Sequence, residues 1–396
     1  MTSNWVGNRL AKVVLSLLVG GSAAWLALSQ APEADQAPNA AQSSDLAKLA
    51  KALEGDAISP YRWLELAEGY EQAGDVARAR ACFRQAQELA PNLPPVWIRA
   101  AAFHFREGEK ELGLRAGVHA QAISDTSDAF LFQYYDRLVR NPGLVLRALA
   151  GDRRSLTAWF RHTMSKGSVE DAAAAWRELN GENPAPRDYS DRAPRAGAEP
   201  DRRAKTQREL EVEYVGFLLE QHQYETARKV WAGSGGANGV YNGGFEREES
   251  GCRLDWKTTP IEAAEVTRDM SVAKEGKAAL RVSFRGTENT AFQHVSQAVV
   301  VTAGNYRFAA WVKTEGITTD QGVRLTIVDA EQAGRLRVET EMMRGTSGWT
   351  LLEHNVAVPE QTHLVNVGIE RRRSEKFENK IAGTVWVDGV SLTRVK

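Results

Sequence analysis

Cysteine is nearly missing from this chain. Only Cys82 and Cys252 occur in 396 residues, one in each half. A bridge between them requires the halves to dock closely, so two free thiols are expected, and neither a disulfide framework nor a zinc spacing is available. Histidine is sparse too. The seven are scattered, with no His-x-x-x-His or His-Glu-x-x-His pair to hold a catalytic metal. There is no Gly-x-Ser-x-Gly elbow, no phosphate loop and no dinucleotide fingerprint. Charge of one sign is also lacking. A formal net charge of −1 provides no field to draw the protein to nucleic acid. These absences point away from an enzyme. Paired carboxylates on one face are the remaining route to chemistry, through glycoside hydrolysis, and sequence alone does not place such a pair.

What the chain does have is a change of hydrophobic period. From Asp45 to about Trp231 the apolar residues recur at helical spacing, and from Tyr241 to Val395 they alternate as in strands. The glycine-rich stretch 233–240 separates the two regimes. The expected fold is therefore multidomain: an all-α half at 45–232 and an all-β half at 241–396.

The first thirty residues read as a targeting segment. Arg9 and Lys12 precede an uncharged apolar run, Val13 to Ser29. That run is near the lower limit for crossing a bilayer. The preferred reading is an uncleaved anchor, with a cleaved signal after Ala27 and Ser29 as the alternative. Residues 31–44 form a Pro/Ala/Gln/Ser tether. The protein is then exported, periplasmic or otherwise outside the cytoplasm, and held in the inner membrane by residues 13–29.

Within Ser59 to Pro91 the spacing is specific. Ser59 is placed to cap a helix that starts at Pro60. Trp63, Leu66, Ala67 and Tyr70 share one face of that helix, Gly74-Asp75 breaks it, and Ala79, Phe83 and Ala86 form the inner face of a second helix that Pro91 stops. This order of residues resembles a tetratricopeptide repeat, position for position. A second copy begins one 34-residue period on, at Pro94. It keeps Trp97, Ala100, Ala101, Gly108 and Ala120, but has Gly117 where the aromatic belongs. Weaker copies keep Gly167, Ala172, Trp176, Leu179 and Pro184, then Tyr214, Leu218, Ala227 and Trp231, with His222 at the glycine position. Residues 128–150 read as a helical pair without the signature. The proline-rich, mixed-charge stretch 181–205 reads as a mobile loop. The resemblance implies a short solenoid of four or five helix pairs that docks protein partners in a groove lined by Arg62, Glu65, Arg99 and Arg106. The alternative is a spacer that carries the β half.

In that half, Ala278 to Phe284, Gln297 to Val301, Tyr306 to Val312, Val323 to Ile327, Val365 to Ile369 and Val385 to Val387 mark strands between Gly/Asn/Thr turns. They suggest a β-sandwich of jelly-roll type. The segments Asn242-Gly243-Gly244-Phe245-Glu246, Trp256, Gly276 to Val282, Gly304 to Val312, Trp349 and Trp386 to Leu392 occur in an order that resembles carbohydrate-binding modules of families 4, 9 and 22. The resemblance implies a glycan ligand. Trp311 lies opposite the core row of its strand, together with Arg307. Arg324, Asn366 and Glu370 have the same parity on other strands, and the five are expected to line one cleft across a sheet. Trp256, Trp349, Phe245 and Trp386 read as structural. The resemblance also implies a structural calcium ion between Glu246 and Asp388, which supply hard oxygen ligands. The alternative for Asp388 is a cap on the turn into Gly389.

Taken together, the expectation is a non-enzymatic, exported binding protein of the bacterial cell envelope, whose repeats dock protein and whose sandwich binds polysaccharide, with a place in exopolysaccharide machinery. A pure protein scaffold with a structural sandwich is the competing reading, and a glycoside hydrolase a distant third.

Overall fold

The computed structural model describes residues 40–181, 200–232 and 239–395. The anchor segment 13–29, most of the tether, residues 182–199 of the loop and residues 233–238 of the glycine-rich stretch lie outside the described residues. Among the described residues no helix is long and apolar enough to cross a membrane.

The helices come in pairs. After α1 (Ala40–Gly55) these are α2 (Pro60–Gln72) with α3 (Val76–Leu89), and α4 (Pro94–Arg106) with α5 (Lys110–Ile123). Next come α6 (Asp128–Tyr134), which runs into a π-helical turn at Tyr135–Val139, with α7 (Pro142–Leu149). The last are α8 (Arg153–Ser165) with α9 (Val169–Leu179), and α10 (Pro200–Glu220) with α11 (Tyr224–Ala232). Helix α1 starts within the expected tether, and α10 starts within the expected loop.

The turn of each pair needs a left-handed residue. Gly74 and Gly108 supply it at φ 76° and 75°, Gly167 at 73°, and Arg140 and His222 adopt it at 49° and 57° without being glycine. The repeat also shows in polar contacts. Trp63 Nε1 donates to the Ala57 carbonyl at 2.9 Å, and one period later Trp97 Nε1 donates to the Pro91 carbonyl at 2.8 Å. Asp75 caps α3 by accepting from the Arg78 amide at 3.0 Å. Ser59 precedes Pro60 as expected but makes no side-chain capping bond.

Gly117 has a physical explanation. Tyr135 of the next pair fills the space an aromatic would take, and a Cβ on Gly117 would stand 2.3 Å from its hydroxyl. That hydroxyl donates to Gln121 Oε1 at 3.1 Å, and both side chains are buried. Restoring the family aromatic with Gly117→Phe is therefore expected to destabilise the repeats, by about 1–3 kcal/mol of overpacking plus the displaced hydrogen bond. Thermal melting of the variant checks this. A rise in melting temperature would refute it.

The β half holds two five-stranded antiparallel sheets. The first has the order β1 (Lys257–Thr258), β4 (Phe292–Val300), β9 (Leu364–Arg371), β6 (Arg324–Asp329), β7 (Arg337–Glu339). The second has the order β2 (Ala264–Asp269), β3 (Ala279–Arg285), β10 (Ala382–Arg394), β5 (Gly304–Ile317), β8 (Gly345–Val358). Val295, Val299, Leu325, Ile327, Val365, Val367 and Ile369 of the first sheet share one buried core with Val282, Phe284, Phe308, Ala310, Val312, Val385 and Val387 of the second. The period-2 alternation thus buries one face of each sheet against the other and leaves two outer faces.

The described residues divide into two compact units, 40–159 with 177–181, and 160–176 with 200–232 and 239–395. The pair α10–α11 belongs to the same unit as the sandwich. Trp231 packs 5.1 Å from Tyr241, and Tyr224 stacks 5.6 Å from His363. Val240, at the end of the glycine-rich stretch, is buried in the sandwich core.

Candidate functional site

The five residues expected in one cleft do not share a face. Trp311 and Arg307 lie on β5, on the outer side of the second sheet, whereas Arg324 on β6 and Asn366 and Glu370 on β9 belong to the first sheet. Alternation shows which side of its own sheet a residue takes. It does not show which sheet a strand joins, and the chain crosses between sheets after β1, β3, β4, β5, β7, β8 and β9.

On the second sheet Trp311 is half-buried. Lys274 from the β2–β3 loop sits over its ring, with Nζ 4.3 Å from the centroid. Trp386 is its diagonal neighbour on β10 and is nearly buried beneath Lys313, whose Nζ is 4.8 Å from the ring. Its indole N–H donates to Asp269 at 2.9 Å. The Ser271 hydroxyl and that indole together hold the Asp269 carboxyl down at about 2. Phe245 and Trp256 are buried and lie 4.9 Å apart. Arg307 pairs with Glu353 across β5 and β8.

The other three candidates do come together. Arg324 stands directly opposite Glu370, and Asn366 opposite Val328, with Thr326 opposite Gly368 between them. Ser296 of β4 lies on the other side of Gly368. Small side chains at Ser296, Gly368 and Thr326 leave a low strip across three strands. Beside it stands a lattice of guanidiniums and carboxylates that sequence reading found only in part. Arg324 Nη1 donates to Glu339 at 2.9 Å. Arg337 donates to Glu339 at 2.7 Å and reaches over β6 to Glu370 at 2.6 Å. Arg372 donates to Glu370 at 3.0 Å and also bonds Glu339. Burial pushes the Glu339 carboxyl up, but the bonds from Arg337 and Arg324 and the charge of Arg372 outweigh it and hold it below its usual range. Of the three missed members, Arg337 and Glu339 sit on a three-residue strand whose apolar content is one valine, too short to carry a period, and Arg372 lies just past the end of β9.

Asp388 and Glu246 both grip the loop at 274–278. Asp388 is fully buried, and its carboxylate accepts the amides of Lys274 at 2.7 Å, Glu275 at 2.9 Å and Gly389 at 2.7 Å. It caps the turn into Gly389, and it also ties that turn to the loop. Burial pushes its carboxyl up, against the lowering by these amides. Glu246 Oε1 accepts the amides of Lys277 at 2.7 Å and Ala278 at 3.2 Å. A carboxylate offers about four acceptor positions, so Asp388 has one left and Glu246 two, and hard oxygens of this kind fit calcium. Among the described residues, no three His, Cys, Asp or Glu side chains gather closely enough to hold a metal ion.

In the repeats, the four expected groove residues are all engaged within the chain. Arg62 pairs with Glu65 on its own helix at 2.8 Å. Arg99 pairs with Glu68 at 2.9 Å, and Arg106 donates twice to Glu71, at 2.5 and 2.8 Å. The last two pairs lace α4 to α2. Burial raises the Glu68 carboxyl, and Arg99 and Arg106 counter it.

The tetratricopeptide repeat family model matches residues 62–103. No curated protein matches the chain. Among solved structures, the chain is similar to the active domain of tailspike protein 4 of bacteriophage CBA120, at 15% identity over 40% of this chain and 21% of that one, with a TM-score of 0.31. The chain thus spans about a fifth of that protein's length. It is also similar to a family 61 carbohydrate-binding module in complex with β-1,4-galactotriose, at 20% identity over 40% of this chain and all of that one, with a TM-score of 0.29. A third is the family 22 xylan-binding domain from Paenibacillus barcinonensis, at 18% identity over 36% of this chain and 86% of that one, with a TM-score of 0.27. By its residues and elements, the chain carries a tetratricopeptide repeat within a run of helical pairs, followed by a two-sheet β-sandwich.

Proposed function

We propose that this is a non-enzymatic, exported binding and scaffold protein of the bacterial cell envelope, anchored by residues 13–29, whose repeats dock protein partners and whose sandwich binds glycan in exopolysaccharide assembly. The observation that supports the glycan half best is the outer face of the first sheet. There the exposed side chains of Asn366, Arg337 and Arg372 stand over the mostly buried Arg324 and Glu370, a surface with fixed donors and acceptors for sugar hydroxyls. The ordered sequence segments from Asn242 to Leu392 support the same reading by resemblance. Calcium is proposed as a structural addition at the Glu246–Asp388 clamp.

Two observations favour the pure scaffold. Lys274 covers the half-exposed aromatic ring of Trp311, and the groove arginines are paired. A glycan array with the full chain separates the two readings. The expected result is a signal that falls at least about tenfold in Arg324→Ala, the loss of one charge-assisted contact, and persists in Trp311→Ala. Silence across the array rejects glycan binding and leaves the scaffold.

A further inference from the structure

We infer that the glycan face of the first sheet selects a chain whose sugars carry carboxylates, a polyuronate, over a neutral polysaccharide. This rests on the glycan reading above and names its ligand class.

The first ground is what the face lacks. Strands β1, β4, β6, β7 and β9 contain no tryptophan and no tyrosine. Neutral sugars are held largely by stacking their C–H patches on such rings, and the strands of this face offer none. Recognition here falls to hydrogen bonds and charge.

The second ground is the charge count. Three guanidiniums, of Arg324, Arg337 and Arg372, face two carboxylates, of Glu339 and Glu370. Both carboxylates are already served by two or more arginines. A neutral hydroxyl that enters must compete with those charge-assisted bonds and gains little. An entering carboxylate meets a surplus of guanidinium and pairs with it in the planar, two-pronged geometry that arginine favours.

The third ground is that the arginines have donors to spare. Arg324 is mostly buried, at 13% exposure, and serves the lattice from within. Arg337 and Arg372 each bond the two carboxylates through Nε and Nη2, which leaves Nη1 of both for a ligand. The side chains of Arg337 and Arg372 are 37% and 49% exposed, so their heads are within reach of a ligand. Glu370 is only 4% exposed and braces the guanidiniums from below, which keeps their forks oriented.

The test is affinity electrophoresis and titration calorimetry of the full chain with polygalacturonate, neutral xylan, a sulfated glycan and polyglutamate. Polygalacturonate is expected to bind at least about tenfold tighter than xylan and to weaken as salt rises from roughly 0.05 to 0.5 M. Arg337→Gln and Arg372→Gln are each expected to lose about tenfold, and Arg372→Lys to recover only part of it, because the charge returns without the fork. Melting curves show that each variant is folded. Xylan binding as tight as polygalacturonate, with the same arginine dependence, overturns the uronate inference and leaves the glycan reading standing. Equal or tighter binding of polyglutamate or the sulfated glycan also overturns it, since charge alone then suffices. Silence with every sugar rejects the glycan reading itself and this inference with it.

Discussion

Arg371→Met is expected to cost the sandwich about 3 kcal/mol or more. At roughly 2–4 °C per kcal/mol for a unit of this size, the melting temperature falls by about 10 °C. Arg371 ends β9 on the core side and is 1% exposed. Among the described residues it has no carboxylate partner within hydrogen-bond reach, and it is satisfied by loops instead. Its Nε donates to the Gln321 carbonyl at 3.1 Å, Nη1 to Asn289 Oδ1 at 2.9 Å and to the Thr290 carbonyl, and Nη2 to the Asn379 carbonyl at 3.0 Å. One side chain thus fastens the β3–β4, β5–β6 and β9–β10 connections at one end of the sandwich. Burial depresses its pKa, opposed by Asp320 and reinforced by Arg373. Methionine fills most of the volume but leaves these buried acceptors without donors. Lysine brings a point charge that cannot reach three loops at once, so Arg371→Lys is expected to recover little. Differential scanning calorimetry of both variants decides it. Melting within a degree of the parent in Arg371→Met would mean that the loops hold without the clamp.

The second large effect is expected at Asp388. Its substitution by alanine removes the fully buried acceptor of the Lys274, Glu275 and Gly389 amides, at a cost of about 2–4 kcal/mol. The β2–β3 loop then loses its tie, and Lys274 no longer stays over the Trp311 ring. Two readouts follow. The melting temperature drops, and tryptophan fluorescence shifts as the ring gains water. Calcium provides the third arm. Added calcium is expected to raise the melting temperature of the parent and to leave Asp388→Ala unmoved. A parent that does not respond to calcium or to chelator rejects calcium at this clamp, while the loss on removing Asp388 stands on its own amide bonds.

How much of this was readable in advance depends on the length scale of the signal. The switch from helix to strand was visible because periods of 3.6 and 2 differ over any ten residues. The tetratricopeptide match was visible because Trp63, Gly74, Ala79 and Phe83 each have one steric job at one spacing. Gly117 departs from the repeat pattern, and its reason lies in Tyr135 of another pair. Five residues of equal parity do not make one cleft, because parity is local, whereas sheet membership follows the crossovers. Trp311 and Arg324 have equal parity yet face opposite sides of the sandwich. The run Arg371-Arg372-Arg373 illustrates the remaining difficulty. Composition treats the three alike, but the first is buried, the second belongs to the lattice and the third is exposed. The inward row Val365, Val367, Ile369 did extend to Arg371, so alternation alone placed a guanidinium in the core.

The last helical pair has a practical bearing on how this molecule can be taken apart. Because Trp231 rests on Tyr241 and Tyr224 on His363, severing the chain between residues 232 and 239 would bare an aromatic seam rather than release a finished module. Anyone transplanting the sandwich onto a foreign carrier should let α10 and α11 travel with it.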